Sequence, residues 1–249
     1  MSSTNLRIAE RNARLARLVA VLETDSRVEA AWLFGSLAIG PGDAWSDLDI
    51  WISVRDDAFA SFVEGRAALA AKVDGPLFAV EAPQNAPVGG AYYQTVHDDP
   101  TGPHVVDWYM QPSSIAGLPS EPALLIRPRG GSRSPSFGYR MEEIAEEDHP
   151  RNAAGVFWMM VLVQAKYVAR KPHEAGLGFL GFLDDLMDRA RENRGLALPQ
   201  KATFESSDSS ARLGELRKRV DQMTEIEPLS PAVPGRTSAF LDTVEASIL

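Results

Sequence analysis

Residues 30–54 read AAWLFGSLAIGPGDAWSDLDIWISV, and their reading decides the fold. Ala30 to Phe34 is a short apolar run that stops at Gly35-Ser36, which suits a buried strand ending in a turn. Gly40, Pro41 and Gly42 mark a loop. The chain then enters a second apolar run through Asp47-Leu48-Asp49-Ile50-Trp51-Ile52. Side chains alternate along a strand, so Leu48, Ile50 and Ile52 share one face, and Asp47 and Asp49 share the other.

Two ionised carboxylates side by side repel, and burying them is costly unless a cation neutralises them. Mg2+ suits the pair, because it takes hard oxygen ligands and binds through one or two carboxylates together with substrate phosphates. Gly35 lets backbone approach a ligand closely. Ser36 adds a hydroxyl, and successive N–H groups at such a turn form an anion pocket. Taken singly, a Gly-Ser turn is a loop and an Asp-x-Asp pair is a solvated strand end. Together, in this order, they fit nucleotide chemistry.

Gly35-Ser36, a spacer of ten residues and Asp47-Leu48-Asp49 resemble the signature of the nucleotidyltransferase superfamily typified by DNA polymerase beta. The longer form, GSLAIGPGDAWSDLDIWI, is most similar to the aminoglycoside and lincosamide nucleotidyltransferases. The resemblance implies Mg2+-dependent transfer of a nucleoside monophosphate, with ATP the first choice of donor, to a hydroxyl of a small acceptor. Gly35 and Ser36 would hold phosphates, and Asp47 and Asp49 would bind metal. A third carboxylate on a later strand would complete the metal site or act as base. Asp107, in Val105-Val106-Asp107-Trp108-Tyr109, is the choice, and Glu81 is its rival. Lys166 is carried over as a phosphate contact from its position on a later helix.

The chain has 249 residues, 45% of them apolar, a net charge of −9 and no cysteine. It is globular and large enough for one large domain or two small ones. No apolar run approaches the ~20 residues of a transmembrane helix. The N-terminal segment lacks the apolar centre of a signal peptide. Without cysteine there is neither a disulfide framework nor a thiolate metal site, which fits a cytoplasmic protein. The acidic balance argues against a nucleic-acid partner, which needs basic surface, and favours a cationic acceptor by steering. His97, His104, His149 and His173 have no zinc-site spacing.

Residues 5–24 form an amphipathic helix with Leu15, Leu18, Val19 and Leu22 as its apolar stripe and arginines on other faces. A helix follows from Asp56 or Asp57 to about Asp74, ended by Gly75-Pro76. Strands are expected at Leu77–Glu81, Ala91–Val96 and His104–Met110, the last two joined by the turn HDDPTGP. Residues 112–136 are rich in Pro, Gly and Ser and read as a linker, with Arg127, Arg129 and Arg133 as basic residues. Beyond it the chain turns helical. An acidic run from Glu142 to Asp148 precedes a strongly apolar helix over 152–170, a helix begun by Pro172-His173-Glu174 follows, and two more cover 211–225 and 237–249.

The expected fold is α/β: a small mixed-sheet nucleotidyltransferase domain, residues 1–130, then an α-helical bundle, residues 137–249, that binds substrate or nucleotide. The active site is expected in the cleft between them. The alternatives are a protein-modifying adenylyltransferase of toxin–antitoxin type and a catalytically silent nucleotide-binding module.

Overall fold

A computed structural model describes residues 3–129, 136–138, 140–141, 152–170, 178–199 and 208–248. The chain divides into two compact units. One holds the described residues up to 97 and from 104 to 141. The other holds residues 98–103 and the described residues from 152 onward.

The first unit is built on a six-stranded mixed sheet, order β3-β4-β5-β2-β1-β7. Its elements in chain order are α1 (Ser3–Thr24), β1 (Val28–Phe34), β2 (Leu48–Val54), α2 (Phe59–Glu64), α3 (Arg66–Val73), β3 (Phe78–Val80), β4 (Ala91–His97), β5 (His104–Pro112), β6 (Gly117–Leu118), β7 (Ala123–Ile126) and β8 (Ser136–Phe137). Only β2 and β5 pair in parallel within this sheet; the other pairs are antiparallel.

The period-two pattern of β2 sorts its two faces. Leu48, Ile50 and Ile52 are fully buried in a core with Leu18 and Leu22 of α1, Phe62 of α2 and Leu69 of α3. Fully burying each such aliphatic side chain contributes about 1.5–3 kcal/mol. The other face carries Asp49 and Trp51 and packs a separate aromatic cluster: Trp32, Trp51, the partly buried Phe34 and Tyr109, and Leu118 of β6. Trp51 and Tyr109 stack with ring centroids 5.2 Å apart. Helices therefore cover one face, while the carboxylates and aromatics share the other.

Four expectations need correction. The helix from Asp56 to Asp74 is broken: Asp56–Ala58 is a 3-10 turn, and Gly65 separates α2 from α3. The segment 112–136 is more than a linker, because Ala123–Ile126 pairs antiparallel with β1 as an edge strand. Pro122 and Pro128 hide this four-residue apolar run in a proline-rich composition, but prolines at an edge cost no ladder hydrogen bond. Arg129 in the same segment donates to the Glu23 carbonyl at 2.7 Å. The faces of α1 beside the apolar stripe are not all polar surface: Arg7, Arg11 and Arg14 are 3% exposed or less, while Arg17 is exposed. Arg14 donates to Asp74 at 3.1 Å, and the partners of Arg7 and Arg11 are described below.

The second unit holds α4 (Ala153–Arg170), α5 (Gly178–Asn193), α6 (Ser209–Ile226) and α7 (Ala232–Ile248). α4 packs against each of the other three, and Phe157, Trp158, Val161, Leu162 and Ala165 are buried along it. Asp208 caps α6 by accepting from the Ala211 N–H at 2.7 Å. Arg219 of α6 makes a two-pronged bridge to Asp184 of α5 at 2.8 and 2.9 Å. The turn 98–103 belongs to this unit, where Arg236 donates to Asp98 at 2.6 Å and to the Asp99 carbonyl at 2.7 Å.

The expected acidic run Glu142–Asp148, the helix start at Pro172-His173-Glu174 and Arg133 lie outside the described residues. Among the described residues no helix is long and apolar enough to cross a membrane.

Candidate active site

β1 delivers the chain to Gly35 at its edge. Gly35 has φ +68°, a left-handed conformation that a side chain disfavours. A Cβ added there would lie 2.6 Å from Asp49 Oδ2, so the Asp49 carboxylate rests against bare backbone. The turn continues as one 3-10 segment, Gly35–Leu37, with the Ala38 N–H bonding the Gly35 carbonyl at 3.1 Å.

Ser36 is anchored to the loop that leads into β2. Its hydroxyl donates to Ser46 Oγ at 3.0 Å, and Ser46 Oγ donates onward to Asp43 Oδ1 at 3.1 Å. Ser46 Oγ also accepts from the Asp43 N–H at 3.0 Å, which saturates one hydroxyl with one donated and two accepted bonds. Gly42 has φ +61°, and a Cβ on it would meet Leu37 and Ser46 under 3.0 Å. Arg11, buried in α1, closes the loop from the other side. It donates to the Asp43 carbonyl at 2.6 Å and to the Pro41 carbonyl at 3.3 Å. Burial holds the Arg11 guanidinium below its ordinary pKa, while the charges of Asp43 and Asp47 pull it back up. Asp47 thus lies within electrostatic reach of Arg11. Arg7 adds a cation–π contact, 5.3 Å above Trp45.

The carboxylates meet through strand register. Asp49 of β2 is opposite Phe34 of β1 on one side and opposite Asp107 of β5 on the other. Asp107 is in turn opposite Gln94 of β4. Residues opposite one another in neighbouring strands share a face at about 4.8 Å strand spacing. The row Phe34–Asp49–Asp107–Gln94 therefore crosses four strands, next to the aromatic row Trp32–Trp51–Tyr109–Tyr92. Asp49 is half-buried, and Asp107 is buried at 7% exposure.

Asp107 is held from β4. The Tyr92 hydroxyl and the Gln94 amide both donate to its Oδ1, the latter at 2.8 Å. Burial first, and the Asp107 charge second, push the Tyr92 phenol well above its ordinary range, so Tyr92 is a donor at every physiological pH.

The structure brings Gly35, Asp49 and Asp107 together, with Ser36 next in the chain at the exposed turn and Asp47 one residue before β2. Glu81 is engaged elsewhere, accepting from Arg66 at 2.7 and 3.1 Å. Lys166 is buried on α4, in the second unit. The residues that sequence reasoning missed are Arg11, Ser46, Tyr92 and Gln94. Arg7, Arg11 and Arg14 recur at helical spacing and could have been seen as a stripe. Tyr92 and Gln94 sit two apart on a recognisable strand, yet nothing local ties them to Asp107.

Asp49 and Asp107 are like charges on adjacent parallel strands, and carboxylate oxygens are the ligand type that a hard cation takes. Asp47, Asp49 and Asp107 do not form a group of three with ligand atoms within 4.8 Å of one another. No protein-family model matches the chain, and no curated protein matches it in sequence.

Proposed function

We propose that this chain is a Mg2+-dependent nucleotidyltransferase that moves a nucleoside monophosphate, AMP from ATP in the first instance, onto a hydroxyl of a small and preferably cationic acceptor such as an aminoglycoside or lincosamide. The observation that carries the reading is the Asp49–Asp107 pair, in register on parallel strands, with the Asp49 carboxylate against Gly35 of the Gly-Ser turn.

In this reading Asp47, Asp49 and Asp107 would hold Mg2+, which would supply charge neutralisation for phosphoryl transfer. The turn at Gly35 and Ser36 offers N–H donors to the β- and γ-phosphates. Arg11 and Ser46 keep that turn and the loop into β2 rigid, so the donors are already aimed when nucleotide arrives. The acceptor oxygen bonds to the α-phosphorus, and the bond from that phosphorus to the β-bridging oxygen breaks. The electron pair leaves with pyrophosphate. The hydroxyl proton passes to the carboxylate cluster, of which Asp107 is the buried member.

The acidic composition supports a cationic acceptor and weighs against nucleic acid, since counterion release needs a basic surface. Following an α-phosphorus label from nucleoside triphosphate tests the reading. Label on a small molecule supports it, label on protein favours the protein-modifying alternative, and triphosphate binding without transfer favours a silent module.

A further inference from the structure

The polarity of the hydroxyls behind the Gly-Ser turn is fixed by chemistry. Ser46 Oγ, in a residue 3% exposed, lies 3.0 Å from the Asp43 backbone nitrogen, 3.1 Å from Asp43 Oδ1 and 3.0 Å from Ser36 Oγ. A backbone N–H only donates and a carboxylate oxygen only accepts. The first contact therefore uses a lone pair of Ser46, and the second uses its one proton. The Trp45 N–H also donates to Asp43 Oδ1, at 2.8 Å, in keeping with that oxygen as an acceptor. Ser36 must then donate to Ser46, whatever other contacts Ser46 and Asp43 make. The relay is tightly seated: Arg11 donates to the Asp43 carbonyl at 2.6 Å, and a Cβ on Gly42 would stand 2.8 Å from Ser46 Oγ. Ser36 itself is exposed, yet its only hydroxyl proton points back into the loop.

We propose that Ser46 and Asp43 are positioning residues that hold the Ser36 hydroxyl with its lone pairs toward the ligand, so that Ser36 Oγ serves there as an acceptor and not as a donor. This rests on the reading of the Gly35-Ser36 turn as the place where the triphosphate docks. Ionised phosphate oxygens are acceptors as well, so they gain nothing from Ser36 Oγ and are bound without it. What Ser36 Oγ can receive is a donor, the ammonium or the hydroxyl of an acceptor molecule. The turn thus tells its two substrates apart by hydrogen-bond polarity.

The test is a double-mutant cycle on the purified full chain, with Mg2+ and ATP and no acceptor, read by calorimetry as the Kd for ATP. Ser36→Ala is compared in the wild-type and Ser46→Ala backgrounds. Ser46→Ala cuts the relay, so Ser36 regains its proton and can donate to phosphate, a hydrogen bond to a charged group worth about tenfold in affinity. The expected result is that Ser36→Ala weakens ATP binding about tenfold more in the Ser46→Ala background than in wild type. An equal or larger loss in wild type overturns the relay and leaves the nucleotide reading standing. Neutron diffraction from the perdeuterated wild-type protein needs no variant to fold. Deuterium on Ser36 directed at Ser46 Oγ is expected, and deuterium directed elsewhere overturns the relay. Absence of ATP binding to wild type overturns the nucleotide reading and, with it, the role given to Ser36.

Discussion

The Asp49 carboxylate lies where a side chain on Gly35 would be: a Cβ there would stand 2.6 Å from Oδ2. The turn and the carboxylate are one construction, so a change to either is felt by both. Gly35→Ala is expected to destabilise the fold by only about 1–2 kcal/mol, the cost of a left-handed alanine. It also displaces Asp49, and misplacement of a reacting group by about 1 Å costs on the order of 10²-fold in rate. A small shift in Tm beside a large loss of turnover is the expected pattern, and equal losses in both would contradict it.

Asp49 and Asp107 carry like charges opposite one another. Asp49→Asn is expected to abolish divalent-metal binding while raising the metal-free stability by up to about 1 kcal/mol, since like charges directly opposite destabilise a sheet. Thermal melts with and without Mg2+ check this. Wild type should gain stability from the metal, and the variant should start higher and gain nothing.

Arg11 connects α1 to the loop between the Gly-Ser turn and β2. Arg11→Met keeps much of the stem's packing and removes the bonds to the Asp43 and Pro41 carbonyls. The expected loss is about 2–3 kcal/mol, as for buried hydrogen bonds to a charged group. Urea unfolding measures it, and faster hydrogen exchange confined to residues 41–46 would trace the loss to the loop.

His97 sets a pH limit on stability. It ends a hydrogen-bonded chain: Trp108 Nε1 donates to Thr95 Oγ1 at 2.9 Å, Thr95 Oγ1 lies 2.8 Å from His97 Nε2, and His97 Nδ1 meets Asp74. The order of donors fits a neutral imidazole. Burial, then the charge of Arg14, lower its pKa from 6.5 to about 4 despite Asp74. Between these values the unfolded chain binds the proton and the folded chain does not. The contribution of His97 is therefore complete above pH 6.5 and is lost as pH falls towards 4. The expected loss is on the order of 3 kcal/mol across that window. Asp74 acts further down in the same direction. Burial raises its carboxyl, but Arg17, Arg14 and His97 together hold it below its usual value. A stability profile for His97→Gln that is flat from pH 6.5 to 4, beside a sloping wild type, would bear this out.

What could be read in advance follows from the range of each interaction. The faces of β2 were legible, because alternation is local: Ile50 and Ile52 enter the core and Asp49 does not. The Gly35-Ser36 turn was legible for the same reason. That Asp107 stands beside Asp49 could be expected from resemblance, but its register across 58 residues is a pairing that no local pattern encodes. Tyr92 and Gln94 were missed on the same ground. The burial of Arg7, Arg11 and Arg14 was not legible, because it depends on carbonyls and carboxylates distant in sequence that receive the guanidinium, such as the Asp43 carbonyl and Asp74. β7 was lost to its flanking prolines, and the break at Gly65 to a helical pattern that continues across it.

Release of pyrophosphate tests the central claim most directly. Purified protein is incubated with Mg2+, each of the four ribonucleoside triphosphates and a panel of aminoglycosides and lincosamides, beside the Asp47→Asn/Asp49→Asn double variant. The account predicts acceptor-dependent release with wild type and none with the variant. Release that persists unchanged in the double variant would contradict it, because the carboxylates against the Gly35 turn would then have no part in the chemistry.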